Sequence, residues 1–210
     1  HYITMKSRGD FPYIALPVFP SRLFRHGFIF VNRNSGIKGP ADLAGKRIAV
    51  QEYRQSAGVW IRGILKSEYG VDFSDVAWLE GGVDAPRRFD ETMDIRPAGD
   101  LTIDLLGSDT CISDVLASGE IDAYFGARAP RAFFESDDVV RLFPDYRAEE
   151  RQYFERTGIY PIMHTMIVTE EFHREHPWAA ESLYKALSDA KKWALEQMRF
   201  SGAQRYIVPW

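Results

Sequence analysis

Short runs of apolar and branched residues alternate along the chain with longer stretches in which apolar positions return every three or four residues. The runs at 13–19 and 27–31 read as strands. Residues 35–46 are rich in Gly, Pro and Asp and lead into Arg47-Ile48-Ala49-Val50, which has the shape of a buried parallel strand. After it, Val59, Trp60, Gly63, Ile64 and Leu65 recur at helical spacing until Gly70 stops the pattern, so a helix is predicted over 56–69.

Val76-Ala77-Trp78-Leu79 is a further strand before Glu80-Gly81-Gly82, and the polar, aperiodic residues 84–100 read as a long loop. The spacing predicts a helix over 110–118, a turn and strand over 119–125, a strand over 139–143 and charged helical turns over 147–157. Residues 161–168 read as a strand. Residues 178–198 read as an amphipathic helix with Ala180, Leu183, Tyr184, Leu187, Ala190, Ala194 and Leu195 on one face, the kind that packs on a sheet. No repeat interrupts this alternation, so the plan is α/β, with parallel sheets covered by helices on both faces.

With 210 residues, 45% hydrophobic and 27% charged, the chain can bury a core for one large or two small domains. A formal net charge of -4, with Lys and Arg scattered, argues against nucleic acid or anionic lipid as a partner. No run approaches the roughly 18 apolar residues that a membrane-spanning helix needs. The single cysteine, Cys111, rules out an internal disulfide; without His or Cys at ligand spacing it reads as a half-buried thiol. The chain opens at His1 rather than Met and closes at Trp210, and both ends read as cut.

Several residues stand where open α/β sheets place ligands, at strand ends. Arg22-Leu23-Phe24-Arg25-His26 is either a solvated basic turn or a carboxylate clamp, since guanidinium binds a planar carboxylate through two parallel hydrogen bonds. His26 adds an acid–base candidate. Glu52, after a buried strand, can take a proton or orient a histidine, and Ser56 is either a helix cap or part of an anion-binding helix start. Gly81 and Gly82 would let backbone approach a ligand closely. His164, in an apolar strand, is either a satisfied core histidine or an acid–base group. Two histidines with Glu52 could ligate a metal, but no HxH or HExxH spacing supports it. His173 and His176 read as surface residues.

Together these segments form a pattern. Phe19-Pro20-Ser21-Arg22-Leu23-Phe24-Arg25-His26, Ser35-Gly36-Ile37, and Pro40-Ala41-Asp42-Leu43-Ala44-Gly45-Lys46 come first, followed by Val59-Trp60-Ile61-Arg62-Gly63-Ile64-Leu65 and Glu68-Tyr69-Gly70-Val71. Trp78-Leu79-Glu80-Gly81-Gly82 and Gly158-Ile159-Tyr160-Pro161-Ile162-Met163-His164 complete it. The composite resembles the 4,5-dihydroxyphthalate decarboxylase family. The Pro-x-Asp-Leu-x-Gly-Lys element alone is shared with many solute-binding proteins and speaks only to fold. The sequence departs from the family at Asp84-Ala85-Pro86-Arg87-Arg88, where a glycine is expected after the proline.

The resemblance implies the two-lobed fold of type II periplasmic binding proteins, with parallel-rich sheets, two crossover strands near 28–33 and 160–168, and the ligand in the cleft between lobes. Residues 1–36 and 160–210 would form a first, incomplete lobe, and 37–159 a second, inserted one. It further implies a carboxy-lyase that needs no organic cofactor, a metal being left open. The ligand would be a small aromatic carboxylate, with self-association undetermined and a cytoplasmic location. In that scheme Arg22 and Arg25 hold the spectator carboxylate, assisted by Ser56, Arg62, Gly82 and Arg128. His26 and His164 serve as acid and base in either order, Glu52 orients one of them or binds the hydroxyls, and Tyr53 or Trp60 walls off the leaving carboxylate. The alternative is a non-enzymatic, transporter-type solute-binding protein for a small aromatic or heterocyclic acid, which would be periplasmic. A third reading is an enzyme acting on a different small aromatic or heterocyclic acid.

Overall fold

The computed structural model describes residues 2–87 and 101–200. In chain order the first elements are α1 (Tyr2–Ser7), β1 (Tyr13–Arg22), β2 (Ile29–Asn32), β3 (Arg47–Val50), α2 (Ser56–Tyr69), β4 (Ala77–Glu80) and β5 (Ile103–Leu105). They are followed by α3 (Ile112–Ser118), β6 (Ala123–Phe125), α4 (Ala132–Glu135), β7 (Val139–Arg141), α5 (Tyr146–Thr157), β8 (Ile162–Thr169), α6 (Glu170–Glu175) and α7 (Pro177–Phe200). Arg88 and the rest of the predicted loop to residue 100 lie outside the described residues. Contacts divide the chain into a unit of Leu23–Pro161 and a smaller one of His1–Arg22 with Ile162–Trp210.

The larger unit is a six-stranded sheet in the order β5-β4-β3-β6-β2-β7. The pairs β4–β5, β3–β4 and β3–β6 are parallel, as the alternating pattern predicts, whereas β2 runs antiparallel to both β6 and β7. Side chains alternate across its two faces. Ile29, Val31, Ile48, Val50, Ala123 and Phe125 join one core with Ile61 and Leu65 of α2. Phe30, Ala49 and Tyr124 join the other with Ile112, Val115 and Leu116 of α3 and Ala132 of α4. Helices therefore cover both faces.

Two segments differ from the periodicity. His26–Phe28 is a 3-10 turn rather than the start of a strand. In the smaller unit β1 pairs antiparallel with β8, so this sheet is not parallel. The amphipathic helix α7 forms as predicted and contacts β1. Most of its apolar stripe faces outward, with Tyr184 47% and Leu195 48% exposed. Among the described residues, the buried apolar side chains of this unit are Leu16, Met163 and Ala179.

At the amino ends of β3 and β6, Asp122 accepts hydrogen bonds from the Arg47 backbone N–H (2.8 Å), Nε (3.0 Å) and Nη2 (2.8 Å). Burial pushes the Asp122 carboxyl up, but these bonds outweigh it and hold it below the usual range. Asp122→Ala removes the acceptor for all three donors and is expected to cost about 2 kcal/mol. Urea unfolding of the full-length protein measures it.

Candidate functional site

Because β4 and β6 both run parallel to β3, their carboxyl ends share one edge of the larger sheet. The segments 51–55, 80–84 and 126–128 leave from that edge, the place where open α/β sheets bind ligands. Carboxylates tie these segments together. Glu80 Oε1 accepts the Tyr53 N–H. Glu52 Oε1 accepts from Arg87 Nη2 at 2.9 Å, Arg54 Nε lies 3.6 Å from Glu52 Oε2, and Arg87 Nη1 also reaches the Gln51 carbonyl. Arg62 reaches back from α2, donating to the Tyr53 carbonyl at 2.7 Å, with its guanidinium 3.7 Å above the Tyr53 ring and 5.5 Å from that of Trp78. Burial pulls its pKa down. Arg62 and Tyr53 thus support the loop that carries Glu52.

Asp84 gathers the next loops. Its Oδ1 accepts from Ser113 Oγ (2.8 Å) and the Arg131 N–H (2.7 Å), and its Oδ2 pairs with Arg128 Nη1 at 3.0 Å. Gly82 is buried, and a Cβ there would run into the Ala85 carbonyl oxygen, while its own carbonyl accepts from Ile112 N–H. Its missing side chain leaves room for the Ala85 backbone. At Gly81 the same space is taken by Leu106.

Arg25 and His26 are both buried, so the reading as a solvated basic turn fails for these two, whereas Arg22 is exposed. Arg25 donates to the Ala127 carbonyl at 3.3 Å and lies over the Phe28 ring, and burial pulls its pKa down. Gly27, the next residue, is clamped by other elements: its N–H donates to Glu150 Oε1, its carbonyl accepts from Arg141 Nε, and Tyr146 of α5 occupies the space of its absent Cβ. His26 sits against the rings of Tyr153, Phe143 and Tyr69, at 5.4, 5.5 and 6.4 Å between centroids. Among the described residues neither ring nitrogen finds a hydrogen-bond partner, and burial lowers its pKa to about 4.

The remaining candidates divide by unit. Ser56 is the first residue of α2, and the capping position before it is Gln55, whose side chain makes no cap bond. Trp60 is half-buried on α2, and Arg128 is exposed at its side chain. In the smaller unit Arg22 ends β1 opposite Ile162, next to Ser21, which pairs with His164. Both Arg22 and His164 are exposed, so His164 is not a core histidine. The larger unit therefore groups Glu52, Tyr53, Arg62 and, through Asp84, Arg128; the smaller groups Arg22 and His164. His26 is not joined to Glu52. Sequence reading quoted the segments that hold Glu80, Asp84 and Arg87 but assigned these residues no role, their signal being their place at and just after the end of the fourth strand. Among the described residues no cluster of three or more His, Cys, Asp or Glu could hold a metal ion, and no helix is long and apolar enough to cross a membrane. A hollow lined by Phe73, Asp75 and Leu101 lies near the amino ends of β4 and β5, at the opposite edge from these charges.

Over 209 residues, 99% of its length, the chain is 40% identical to a 4,5-dihydroxyphthalate decarboxylase of Comamonas testosteroni. A second relative of the same name, from Pseudomonas putida, is 43% identical over 139 residues, 66% of this chain. The family resemblance read from the motifs holds. The chain spans 63% and 54% of these relatives' own lengths. No protein-family model matches it. Similar solved structures include the periplasmic aliphatic sulphonate binding protein SsuA of Escherichia coli, with TM-score 0.49 and 14% identity over 94% of this chain and 54% of that one. Another is the alkanesulfonate-binding protein SsuA of Xanthomonas axonopodis, with TM-score 0.47 and 13% identity over 90% and 52%.

The enclosure of His26 has a consequence for stability. A base whose pKa is about 4 when folded and 6.5 when unfolded contributes stability that is whole above pH 6.5 and is lost as pH falls toward 4, because the unfolded chain takes up the proton first. The full loss is about 3 kcal/mol at 1.36 kcal/mol per pH unit. His26→Leu is expected to remove that part of the pH dependence, seen in urea midpoints of wild type and variant between pH 7 and 4. Parallel curves would show that His26 does not titrate this way.

Proposed function

We propose that the full-length protein is a carboxy-lyase that removes carbon dioxide from 4,5-dihydroxyphthalate or a closely related hydroxylated aromatic carboxylate. The observation that carries this reading is the 40% identity, across 99% of the chain, to an enzyme of that name. A cytoplasmic location goes with it.

The substrate's chemistry asks little of a cofactor. Each ring carboxylate lies para to a hydroxyl, so loss of the phenolic proton to a base raises electron density at the carbon that bears the leaving group. An acid protonates that carbon and forms a dienone. The bond to the carboxylate then breaks, its electron pair returns to the ring, carbon dioxide leaves and the phenolate of the product is restored. The site must bind two carboxylates, accept one proton and deliver another.

Glu52 suits the accepting role: it stands at the sheet's carboxyl edge, flanked by Arg87 and Arg54, and its carboxylate is half-buried rather than free in solvent. Arg25 and Arg128, on either side of the turn that follows β6, suit the carboxylates, and Trp60 offers an apolar wall. Tyr53 and Arg62 act on this reading by holding the Glu52 loop. His164 remains the acid candidate with Arg22 beside it, since both stand exposed on paired strands. His26, ringed by aromatic side chains, is read as a structural residue.

Incubating the full-length protein with 4,5-dihydroxyphthalate is expected to release carbon dioxide and 3,4-dihydroxybenzoate; ligand binding without turnover would favour a solute-binding protein instead. Glu52→Gln is expected to lower kcat about 100-fold with KM within about tenfold. His164→Ala is expected to abolish carbon dioxide release while 4,5-dihydroxyphthalate affinity stays within about tenfold, and unchanged turnover removes it from the mechanism.

A further inference from the structure

Tyr124 occupies the middle of β6, wholly buried, with its ring packed among Phe30, Ala49, Val83 and Ile112. Among the described residues its hydroxyl has no hydrogen-bond partner. A buried hydroxyl without a partner costs about as much as a lost hydrogen bond, and in native structures such a group calls for an explanation. Phenylalanine would fill the same space without that cost; the neighbours Phe30 and Phe125 show that the sheet accepts it.

A second residue bears on the placement of the same oxygen. A Cβ at Gly126 would collide with the Tyr124 hydroxyl, so position 126 has to be glycine for the phenol to lie where it does. Gly126 opens the turn that follows β6. On one side of that turn Arg25, itself buried, holds the Ala127 carbonyl; on the other, Arg128 reaches Asp84. Arg25, Arg128 and Asp84 are the charges that act on the phenol. An unpaired donor thus lies beside the turn that leaves the carboxyl end of a parallel strand, a turn that Arg25 bonds and that carries Arg128, the kind of place where open α/β sheets bind ligands.

We propose that the Tyr124 hydroxyl is a ligand contact, donating a hydrogen bond to a ring carboxylate of an aromatic acid held by Arg25 and Arg128. The assignment rests on the function proposed above and adds to it a residue that sets affinity for the carboxylate rather than for the catechol hydroxyls. The exposed Arg128 side chain pairs with Asp84, a partner for which a ligand carboxylate can compete. When the ligand's carboxylate takes Asp84's place, the phenol gains an acceptor and the unpaired state ends.

The test is Tyr124→Phe in the full-length protein, with 4,5-dihydroxyphthalate and catechol as probes. Expected are an unchanged or raised Tm, a loss of at least about tenfold in affinity for 4,5-dihydroxyphthalate, and unchanged competition by catechol, which has no carboxylate. A fall in Tm with equal losses for both probes means that the hydroxyl only supports the fold, and overturns the proposal; so does unchanged affinity for 4,5-dihydroxyphthalate. If the wild type neither binds nor decarboxylates 4,5-dihydroxyphthalate, the proposed function fails, and the Tyr124 assignment with it. Wild-type activity with an unaltered variant sinks the Tyr124 assignment alone.

Discussion

Where a parallel strand ends, its last backbone groups lose the ladder that satisfied them, and something else must take them up. In this protein the Gly81 N–H takes up the Val50 carbonyl and the Leu106 N–H that of Glu80, and carboxylates take up N–H groups further along the loops. Glu80, at the end of β4, accepts the N–H of Tyr53 beyond β3, and Asp84 accepts the N–H of Arg131 together with the Ser113 hydroxyl. Each carboxylate fixes the loop of one strand from that of another, so the three loops hold one another at the sheet edge. The positions of Glu52, Arg87 and Arg128 depend on this bracing.

It also decides which of the arginines are available. Arg62, whose Nη2 donates to the Tyr53 carbonyl while its guanidinium lies 3.7 Å over the Tyr53 ring on a helix that leaves that loop, is a strut. Arg141, bonded to Gly27 and lying 4.3 Å over the Phe133 ring, is another. Arg87 and Arg128 pair instead with Glu52 and Asp84, carboxylates that an anionic ligand can compete with or exploit. Sequence position alone does not separate these classes, since all of them follow or flank strands.

Much of the fold was legible because periodicity and stop signals agreed. The helix over 56–69 begins and ends where the pattern and Gly70 require, and Gly70 adopts the left-handed conformation with its N–H on the Leu65 and Lys66 carbonyls. β3 likewise follows its apolar run residue for residue. What escaped is short or tertiary. Ile103–Leu105 has three residues and a charged centre, too little to signal a strand, and it forms because β4 offers it an edge. The direction of β2 could not be read from a run of apolar residues, because the same pattern suits both senses of pairing. The outward face of α7 could not be read from its stripe, since a helix packed on a sheet carries the same pattern.

For the candidate site, residue type pointed to strand ends but could not say which atoms there lie buried or without partners. His26 and Tyr124 illustrate why. Both are buried with polar atoms unpaired among the described residues, and neither fact is visible in sequence. Their surroundings differ. The imidazole is faced by three aromatic rings, whose π-faces can take weak N–H contacts and whose apolar bulk disfavours its cation. The enclosure therefore reads as packing. The phenol lies beside Gly126, which makes room for it, and the charges of Arg128, Asp84 and Arg25 act on it. Burial without a partner is thus not itself a mark of function; the charge around the orphaned atom is what separates the two.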